Sequence, residues 1–460
     1  MSPVSFVIIL LALSSLAFWQ GKRKAFGVAT SGGPKMHSRP GYYGMLTALW
    51  CALPALLIFF LWWTLSDTLL VKLAVQSLSG QAQEMAPDRL NQWINNLRNL
   101  VSGNIVSGTV DPALQAAADR YLGLQRIGRA ALGVVMLALA LAGTSAIYTR
   151  IRPAMRARNH VELIIKMFLI LCSTIAIFTT LGIVLSVLFE SIQFFKKIPV
   201  TDFLFGLHWS PQIALRDDQV GGSGSFGAIP VLAGTFMISA IAMLVATPIG
   251  LMSAIYLSEY AGPRFRAVAK PMMEILAGIP TVVYGFFAAL VVAPFIRNTL
   301  GSTGLDVSSE SALAAGLVMG IMIIPFVSSL SDDVLNAVPQ AMRDGSFALG
   351  ATKSETILQV IIPAALPGIV GGLLLAVSRA IGETMIVVMA AGLSANLTAN
   401  PLQTMTTVTV QIVTLLVGDQ EFDSAKTLAA FALGLVLFII TLILNVIALV
   451  VVRRYREQYE

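Results

Sequence analysis

Two ionisable residues four positions apart, Arg379 and Glu383, lie inside an apolar stretch of the chain. An Arg near the centre of a bilayer costs about 2.5 to 3.5 kcal/mol on insertion scales, so this guanidinium needs compensation. Residues four apart share one face of a helix, although Arg before Glu is the weaker order for an ion pair. The spacing predicts either a buried ion pair that fixes helix packing or a guanidinium fork that binds two oxygens of an anion.

Other reactive groups have little support in the sequence. No Gly-x-x-x-x-Gly-Lys-Ser/Thr phosphate loop is present, which predicts that the chain does not hydrolyse ATP by itself. The 3 histidines fall in separate loops without a second ligand at helical spacing, so no metal site is predicted. Ser223 lies between two glycines but not in a nucleophile elbow. We therefore expect no catalytic residues and no enzyme activity.

The composition around these residues is that of a membrane protein. Hydrophobic residues make up 56% of the chain and charged residues only 12%, whereas a soluble protein carries roughly 25% charged residues. The apolar residues lie in runs of about 20, the length that crosses a bilayer. About nine such spans are predicted, at 4–19, 46–65, 127–148, 161–189, 229–257, 272–296, 312–330, 366–391 and 428–452. The sequence thus predicts an all-α, polytopic helical membrane protein and excludes a soluble enzyme.

The positions of Lys and Arg predict the orientation of these spans. Positive residues are dense in alternate loops, namely 22–39, 150–158, 264–270, 343–353 and the tail 453–456. The intervening loops are longer and carry fewer Lys and Arg. By the positive-inside rule the N-terminus is outside and the C-terminus is cytoplasmic. The net charge of +6 therefore reports topology and does not indicate nucleic-acid binding.

A change of composition near 150–160 divides the chain into two parts. Residues 1–150 form an N-terminal extension of three spans with an external polar segment at 66–125, and residues 160–455 form a six-span domain. Within the external segment, Pro87-Asp88 and Asp111-Pro112 predict the starts of two short helices. These helices either dock a partner or only pack on the membrane surface. Residues 221–227 are glycine-rich and predict a flexible loop before the fifth span.

Two spans contain helix-breaking sequences at membrane depth. Gly278-Ile279-Pro280 begins the sixth span, and Pro248-Ile249-Gly250 interrupts the fifth. Irregular backbone inside a bilayer must face protein or water, so these breaks either line a path or only kink the helices for packing. Thr281 and Tyr284 would supply hydroxyls to such a path. The pair Gly316 and Gly320 predicts a close helix contact in the seventh span.

The longest cytoplasmic loop, 331–365, is strongly patterned. It predicts a short helix over 339–349 that stops at Gly350, followed by an apolar return into the bilayer. This element is either a compact knob that docks into a groove of another protein or a linker helix on the membrane surface.

The same loop resembles the EAA loop of importer-type ABC permeases. Asp344, Gly345 and Ser346 stand where that family has Glu-Ala-Ala, and Gly350 and Pro363 match its later positions. Gly345 loosens the helix by about 0.5 to 1 kcal/mol relative to Ala. In that family the loop docks in a cleft of the cytoplasmic ATPase and transmits its closure. The resemblance therefore implies that these five residues couple the chain to an ATPase.

Three further segments resemble the phosphate-specific permeases of the PstC type. They are Phe226–Pro230 with Gly234-Thr235, Gly278–Gly285, and Arg379–Met385. The resemblance covers the six C-terminal spans and implies a type I ABC importer permease core in a bacterial inner membrane. It implicates Arg379 and Glu383 in the passage of phosphate. From the charges alone, we expect Glu383 to hold Arg379 between transport events and to limit how tightly the anion is retained. The first 150 residues lie outside this core.

The resemblance also implies partners. They are a second homologous permease, cytoplasmic ATP-binding subunits that use the ATP, and a periplasmic phosphate-binding protein that delivers inorganic phosphate. This chain is expected to bind no cofactor itself, to contact membrane lipid and to bind no nucleic acid. Alternatives are a permease for sulfate, molybdate or phosphonate, or an ion-coupled secondary transporter that uses Glu383. A membrane enzyme acting on phosphorylated lipid would need a catalytic polar cluster that the sequence lacks.

Overall fold

The computed structural model describes residues 3–30, 35–76, 87–103, 112–213, 223–417 and 424–456. The predicted external segment lies partly outside the described residues, at 77–86 and 104–111, as do residues 221–222 of the predicted glycine-rich loop. The chain forms two compact units, Met1–Phe178 and Thr179–Glu460.

The first unit is built from long apolar helices and one shorter amphipathic helix. They are α1 (Pro3–Thr30), α2 (Pro40–Gln76), α3 (Pro87–Ser102), α4 (Pro112–Arg150) and the first half of α5 (Ala157–Lys197). Four of them begin at a Pro, whose fixed φ and missing N–H suit the first helical position. Small residues let α1 and α2 approach closely, since a Cβ on Gly44 would lie 2.7 Å from the carbonyl oxygen of Phe18.

The external segment of this unit differs from one of the two predictions. The helix predicted after Pro87 is confirmed as α3, which packs against α2 and α4 through the buried Leu97. The prediction of a separate short helix after Asp111 was wrong. From Pro112 the chain continues as one helix to Arg150, because no Pro or Gly-Pro pair interrupts the passage from polar to apolar residues.

The second unit alternates long helices with short ones. It contains α6 (Val200–Phe205), β1 (Trp209–Ile213), β2 (Ser223–Phe226), α7 (Ile229–Ile255), α8 (Pro263–Ala277), α9 (Thr281–Phe287), α10 (Ala293–Gly301), α11 (Ala312–Ala337), α12 (Gln340–Ala348), α13 (Lys353–Thr356), α14 (Ile362–Ile381), α15 (Met385–Ala390), α16 (Val408–Leu416) and α17 (Ala425–Arg456). Turns of π-helix at Tyr256–Tyr260, Ala288–Val292 and Ile357–Ile361 continue α7, join α9 to α10 and join α13 to α14.

Residues 223–226 of the predicted glycine-rich loop are a strand and not a flexible loop. β2 pairs antiparallel with β1, with Trp209 opposite Phe226. Both aromatic side chains are buried, and the indole Nε1 of Trp209 donates to Gln411 Oε1 at 2.8 Å. Burial of these two rings against the domain explains why glycine and serine residues are held in regular structure here.

The nine predicted spans are confirmed among the described residues by helices of sufficient length and apolarity. They are Pro3–Thr30, Pro40–Val75, Pro112–Arg150, Ala157–Lys197, Ile229–Tyr260, Thr281–Gly301, Ala312–Ala337, Lys353–Ile381 and Ala425–Arg454. Most of these helices extend beyond the predicted bounds, and the eighth begins at Lys353 instead of 366. Since α11 runs to Ala337, the connection predicted at 331–365 is shorter in the structure. Two other boundaries lie inside the predicted spans. The sixth span begins at Thr281, since 272–277 belongs to α8, and the eighth ends at Ile381 instead of continuing to 391.

The core of the second unit is the contact between α7 and α11. A Cβ on Gly316 would lie 2.7 Å from Ile241 Cβ, and one on Gly320 would lie 3.0 Å from the carbonyl oxygen of Ala242. The predicted close contact at this Gly pair is therefore confirmed. The predicted interruption at Pro248 is wrong, because α7 runs through this residue to Ile255. One Pro removes a single helical hydrogen bond, which packing against neighbouring helices offsets in a membrane helix.

Candidate functional site

The helix that carries Arg379 ends directly after it. α14 stops at Ile381, and the amide of Glu383 donates to the carbonyl oxygen of Ala380 at 3.2 Å. Glu383 Oε1 instead accepts the amide of Met385 at 3.2 Å, which caps the first turn of α15. The prediction that Arg379 and Glu383 lie on one face of a continuous helix was wrong. Within the described residues they do not form an ion pair.

The Arg379 side chain is held by an aromatic ring. Its guanidinium carbon lies 5.4 Å from the centroid of the Phe326 ring on α11. No carboxylate in the described part of the chain lies within ion-pair distance of it. A cation–π contact orients the guanidinium, and its N–H donors have no partner among the residues that the structure describes. The fork is therefore available to an anion.

Thr281 and Tyr284 lie at the predicted break between α8 and α9. Thr281 is the first residue of α9 and is half-buried. The Tyr284 side chain is buried, and its hydroxyl donates to the carbonyl oxygen of Leu276 at 2.9 Å, so it closes the gap left by Gly278-Ile279-Pro280. Of the two predicted hydroxyls, Tyr284 thus has a structural partner in α8.

The two irregular segments lie against each other. A Cβ on Gly285 would lie 3.1 Å from the carbonyl oxygen of Met385, which places α9 directly on α15. Ile279, Phe326 and Ala380 belong to the same apolar cluster. The structure therefore brings the break before Thr281 and the break after Arg379 into one region of the domain.

A row of buried polar side chains lies next to this region and was not predicted from the sequence. Thr406, Thr407, Thr409 and Gln411 are buried, and Thr409 Oγ1 donates to the carbonyl oxygen of Glu383 at 2.8 Å. Gln411 Nε2 donates to Thr406 Oγ1 at 3.1 Å. The sequence feature that could have predicted this row is the run of Thr at 404, 406, 407 and 409 within a largely apolar stretch. When such a stretch packs inside a protein, its hydroxyls are buried and need hydrogen-bond partners.

A cavity of about 200 Å³ lies between α8 and α11, beside the ring that holds Arg379. Phe326, Lys270, Glu274 and Ser328 line it. Within the described residues the Ser328 hydroxyl is buried without a hydrogen-bond partner. An unsatisfied buried hydroxyl costs about 1 to 3 kcal/mol. A solute or water in this cavity would therefore be stabilised by a hydrogen bond with Ser328.

An ion-pair cluster fixes α8 to the end of α11. The Asp332 carboxylate is 4% exposed and accepts from Arg266 Nη2 at 2.9 Å and from Lys270 Nζ at 2.9 Å. Asn336 Nδ2 adds a donor at 3.0 Å. The hydrogen bond that Lys270 donates to Asp332 raises the pKa of Lys270, so this side chain stays cationic at neutral pH.

The predicted helix before Gly350 is confirmed as α12. Gly350 has φ +86°, its amide donates to Phe347, and the amide of Ala351 donates to Ser346. These two bonds form a Schellman motif, in which a Gly ends the helix in the left-handed region. The Ser346 and Thr356 hydroxyls lie 2.9 Å apart and join α12 to α13.

The base of α12 is anchored in the membrane domain. Arg343 pairs with Glu259, both largely buried, and its Nη2 donates to the carbonyl oxygen of Leu335 at 2.7 Å. Asp344 is exposed and accepts from Gln340 at 3.1 Å. Gly345 is also exposed, and Pro363 lies in the first turn of α14 after the π-helical turn.

The far side of α12 carries apolar side chains that no described residue covers. Leu349 is 90% exposed and Phe347 is 47% exposed. Both lie at the end of a short helix that three elements hold by ion-pair and hydrogen-bond contacts. A rigid helix that presents an apolar tip suits insertion into a groove of a partner.

Comparisons with known proteins agree with this architecture. The family described as binding-protein-dependent transport system inner membrane component matches residues 246–457, and the one described as phosphate ATP-binding cassette transporter matches residues 7–179. A probable ABC transporter permease of Bacillus subtilis, YqgH, is 31% identical over 60% of this chain and 86% of its own length. The phosphate transport system permease protein PstC 1 of Mycobacterium tuberculosis is 31% identical over 55% of this chain and 81% of its own.

Two solved transporters match part of the chain at low sequence identity. A chain of the MetNI methionine ABC transporter covers 50% of this chain and 94% of its own, with 18% identity and a TM-score of 0.37. A chain of a bacterial alginate ABC transporter covers 66% and 99%, with 16% identity and a TM-score of 0.45. On the strength of its sequence relatives, the chain belongs to the binding-protein-dependent ABC transporter permeases of the PstC type. It is a membrane-spanning transport subunit.

Proposed function

We propose that this permease passes inorganic phosphate across the membrane in an ATP-driven importer. The observation that carries the proposal is the Arg379 guanidinium, which lies at a helix break without a carboxylate partner among the described residues. Phosphate carries one to two negative charges at neutral pH, and a guanidinium fork matches two of its oxygens. The PstC relatives, named for phosphate transport, support the choice of anion.

In this proposal Glu383 fixes the backbone after Arg379, whereas its spacing had suggested an ion pair with Arg379. Its carboxylate caps α15 and fixes the backbone that follows Arg379. The negative charge near the path limits how tightly an anion is retained, which favours release over storage. Thr281 at the start of α9 supplies a hydroxyl to the path, and the Tyr284 hydroxyl fixes the break by its hydrogen bond to the carbonyl oxygen of Leu276 in α8.

ATP is used by partner subunits in this proposal, since the sequence has no phosphate loop, and no cofactor is held by this chain. Asp344, Gly345, Ser346 and Gly350 form the coupling helix, and its apolar tip docks in a cytoplasmic ATP-binding subunit. Pro363 lies in the first turn of α14 and Arg379 in its last turn, so a displacement of α12 is carried along α14. A second homologous permease and an external phosphate-binding protein complete the complex.

The test is uptake of radiolabelled phosphate in cells lacking this chain and in cells with it restored. We expect uptake to return with the chain, to resist excess sulfate, molybdate and phosphonate, and to survive collapse of the proton gradient while ATP is maintained. Loss of uptake with the gradient would favour an ion-coupled secondary transporter. Restored uptake of another oxyanion in place of phosphate would contradict the substrate but keep the class.

A further inference from the structure

The N-terminal unit contains a cavity where α1, α2 and α4 meet. Its volume is about 240 Å³. Aromatic rings line one part of it, from Phe6, Phe59 and Trp62, and polar side chains line another, from Ser66, Gln125 and Arg129. A cavity with one apolar and one polar wall suits an amphipathic ligand.

This cavity lies at the boundary between hydrocarbon and water. The apolar run of α2 ends at Leu65, directly after Trp62 and Trp63, and the apolar run of α4 begins at Ile127. Both points lie next to the polar segment 66–125, so they are on the same side of the membrane. Trp residues concentrate at this depth, where lipid headgroups meet the acyl chains.

Arg129 brings an unneutralised charge to this boundary. Within the described residues no carboxylate lies within ion-pair distance of it. The acidic residue near the cavity, Asp67, already accepts from Arg98 Nη2 at 2.7 Å and from the Tyr121 hydroxyl at 3.0 Å. A guanidinium at the edge of the hydrocarbon region without a protein anion needs another anionic partner.

The indole ring of Trp62 is fixed against the part of α4 that carries Arg129. Trp62 packs on Gly128, where an added Cβ would lie 2.8 Å from Trp62 Cη2. Only a residue without a side chain lets the indole approach α4 this closely. The aromatic wall and the charged side chain are therefore held together by direct packing of α2 on α4.

We propose that this cavity binds the headgroup of an anionic phospholipid, with the phosphodiester on Arg129. Ser66 and Gln125 supply donors to the headgroup, and Phe6, Phe59 and Trp62 contact the glycerol backbone and the start of an acyl chain. Inorganic phosphate has the same charge chemistry, but it has no apolar part to cover the aromatic wall, and its oxygens would find no hydrogen-bond donors on that side. The shape and lining favour the lipid over the free anion.

The test uses the full-length chain purified in mild detergent and mixed with phosphatidylglycerol or phosphatidylcholine of identical acyl chains. Bound lipids are counted by native mass spectrometry. We expect selective retention of phosphatidylglycerol, and Arg129→Gln to reduce that retention about tenfold, the value of one charge-assisted contact. Arg126→Gln is the matched control, because this exposed Arg lies on the same helix but does not line the cavity.

Three results would overturn the proposal. They are equal retention of phosphatidylcholine, unchanged retention in Arg129→Gln, and release of phosphatidylglycerol by millimolar inorganic phosphate, which would assign the cavity to the free anion. Arg129→Lys keeps the charge and is expected to retain more lipid than Arg129→Gln. A common melting midpoint for all variants separates loss of lipid from loss of fold.

Discussion

Arg379 is held by a contact that an oxyanion can readily replace. A cation–π contact is worth about 0.5 to 2 kcal/mol, whereas hydrogen bonds to a charged group contribute about 1.5 to 3 kcal/mol each. A phosphate that reaches the guanidinium therefore gains more than the Phe326 ring provides. A carboxylate at the same distance would have opposed its entry. The absence of an ion pair with Glu383 is thus central to the proposed path.

Asp332 and Asp333 are adjacent in the sequence, but the first carboxylate is buried and the second is exposed. Asp332→Asn removes the charge that Arg266 and Lys270 share, and we expect it to destabilise the domain by about 2 to 3 kcal/mol. Asp333→Asn is the control, because this carboxylate is 65% exposed and contributes less than about 1 kcal/mol. Melting midpoints of the two purified variants check this difference. Equal midpoints would contradict the role given to the cluster.

The raised pKa of Lys270 fixes the pH range over which its contact with Asp332 contributes to stability. A Lys whose folded pKa exceeds its unfolded value stabilises the fold fully below that unfolded value, at about 10.4. This contribution is lost as the pH rises through the raised folded value. The contact between α8 and α11 is therefore intact at neutral pH.

Among the elements, α12 depends on the glycine that follows its C-terminal end. Gly350→Ala forces a side chain into the left-handed region, and we expect it to weaken the end of the helix by about 1 to 2 kcal/mol. Gly345→Ala is the matched control. It lies inside the helix with no atom within 4 Å of an added Cβ, and is expected to stabilise α12 by about 0.5 to 1 kcal/mol.

Hydrogen exchange of the amides in 340–350 measures both effects. Exchange should be faster in Gly350→Ala and slower in Gly345→Ala than in the natural chain. If both variants exchanged alike, the end of α12 would not be set by the backbone conformation of Gly350.

The apolar tip of α12 makes a second prediction for this element. Leu349→Asp places a charge on the surface proposed to dock in the ATP-binding subunit, and we expect co-purification of that subunit to fall at least about tenfold. Leu305→Asp is the control, since Leu305 is 50% exposed in the loop between the sixth and seventh spans. Retention of the ATP-binding subunit by Leu349→Asp would exclude this tip as the docking surface.

Elements that depend on local sequence could be predicted, whereas elements that depend on contacts with distant residues could not. The nine spans and α12 were predicted because apolar length and a terminal Gly act locally. The end of the eighth span was missed, since 382–391 is as apolar as a span. Its break depends on contacts with distant residues, such as the Thr409 bond to the backbone of Glu383. Arg379 could be named from the sequence, but its ring partner on α11 could not.

For the whole molecule, the distribution of Lys and Arg predicts which loops face the cytoplasm. With Cys51 and Cys172 replaced by Ala, we expect an added Cys at Ser302 to react with a membrane-impermeant maleimide in intact cells. A Cys at Ser354 should react only after permeabilisation. Both positions are exposed in the structure, so access to the reagent depends on the side of the membrane. The reverse pattern would invert the proposed orientation.

Phosphate must pass Arg379 if this chain transports it as proposed, and uptake by Arg379→Ala tests this most directly. In cells that rely on this chain, we expect the initial rate of phosphate uptake to fall at least about tenfold, while the variant still co-purifies with the ATP-binding subunit. Arg297→Ala, which removes an exposed Arg at the end of the sixth span, should transport normally. Uptake by Arg379→Ala at the rate of the natural chain would contradict the proposed path.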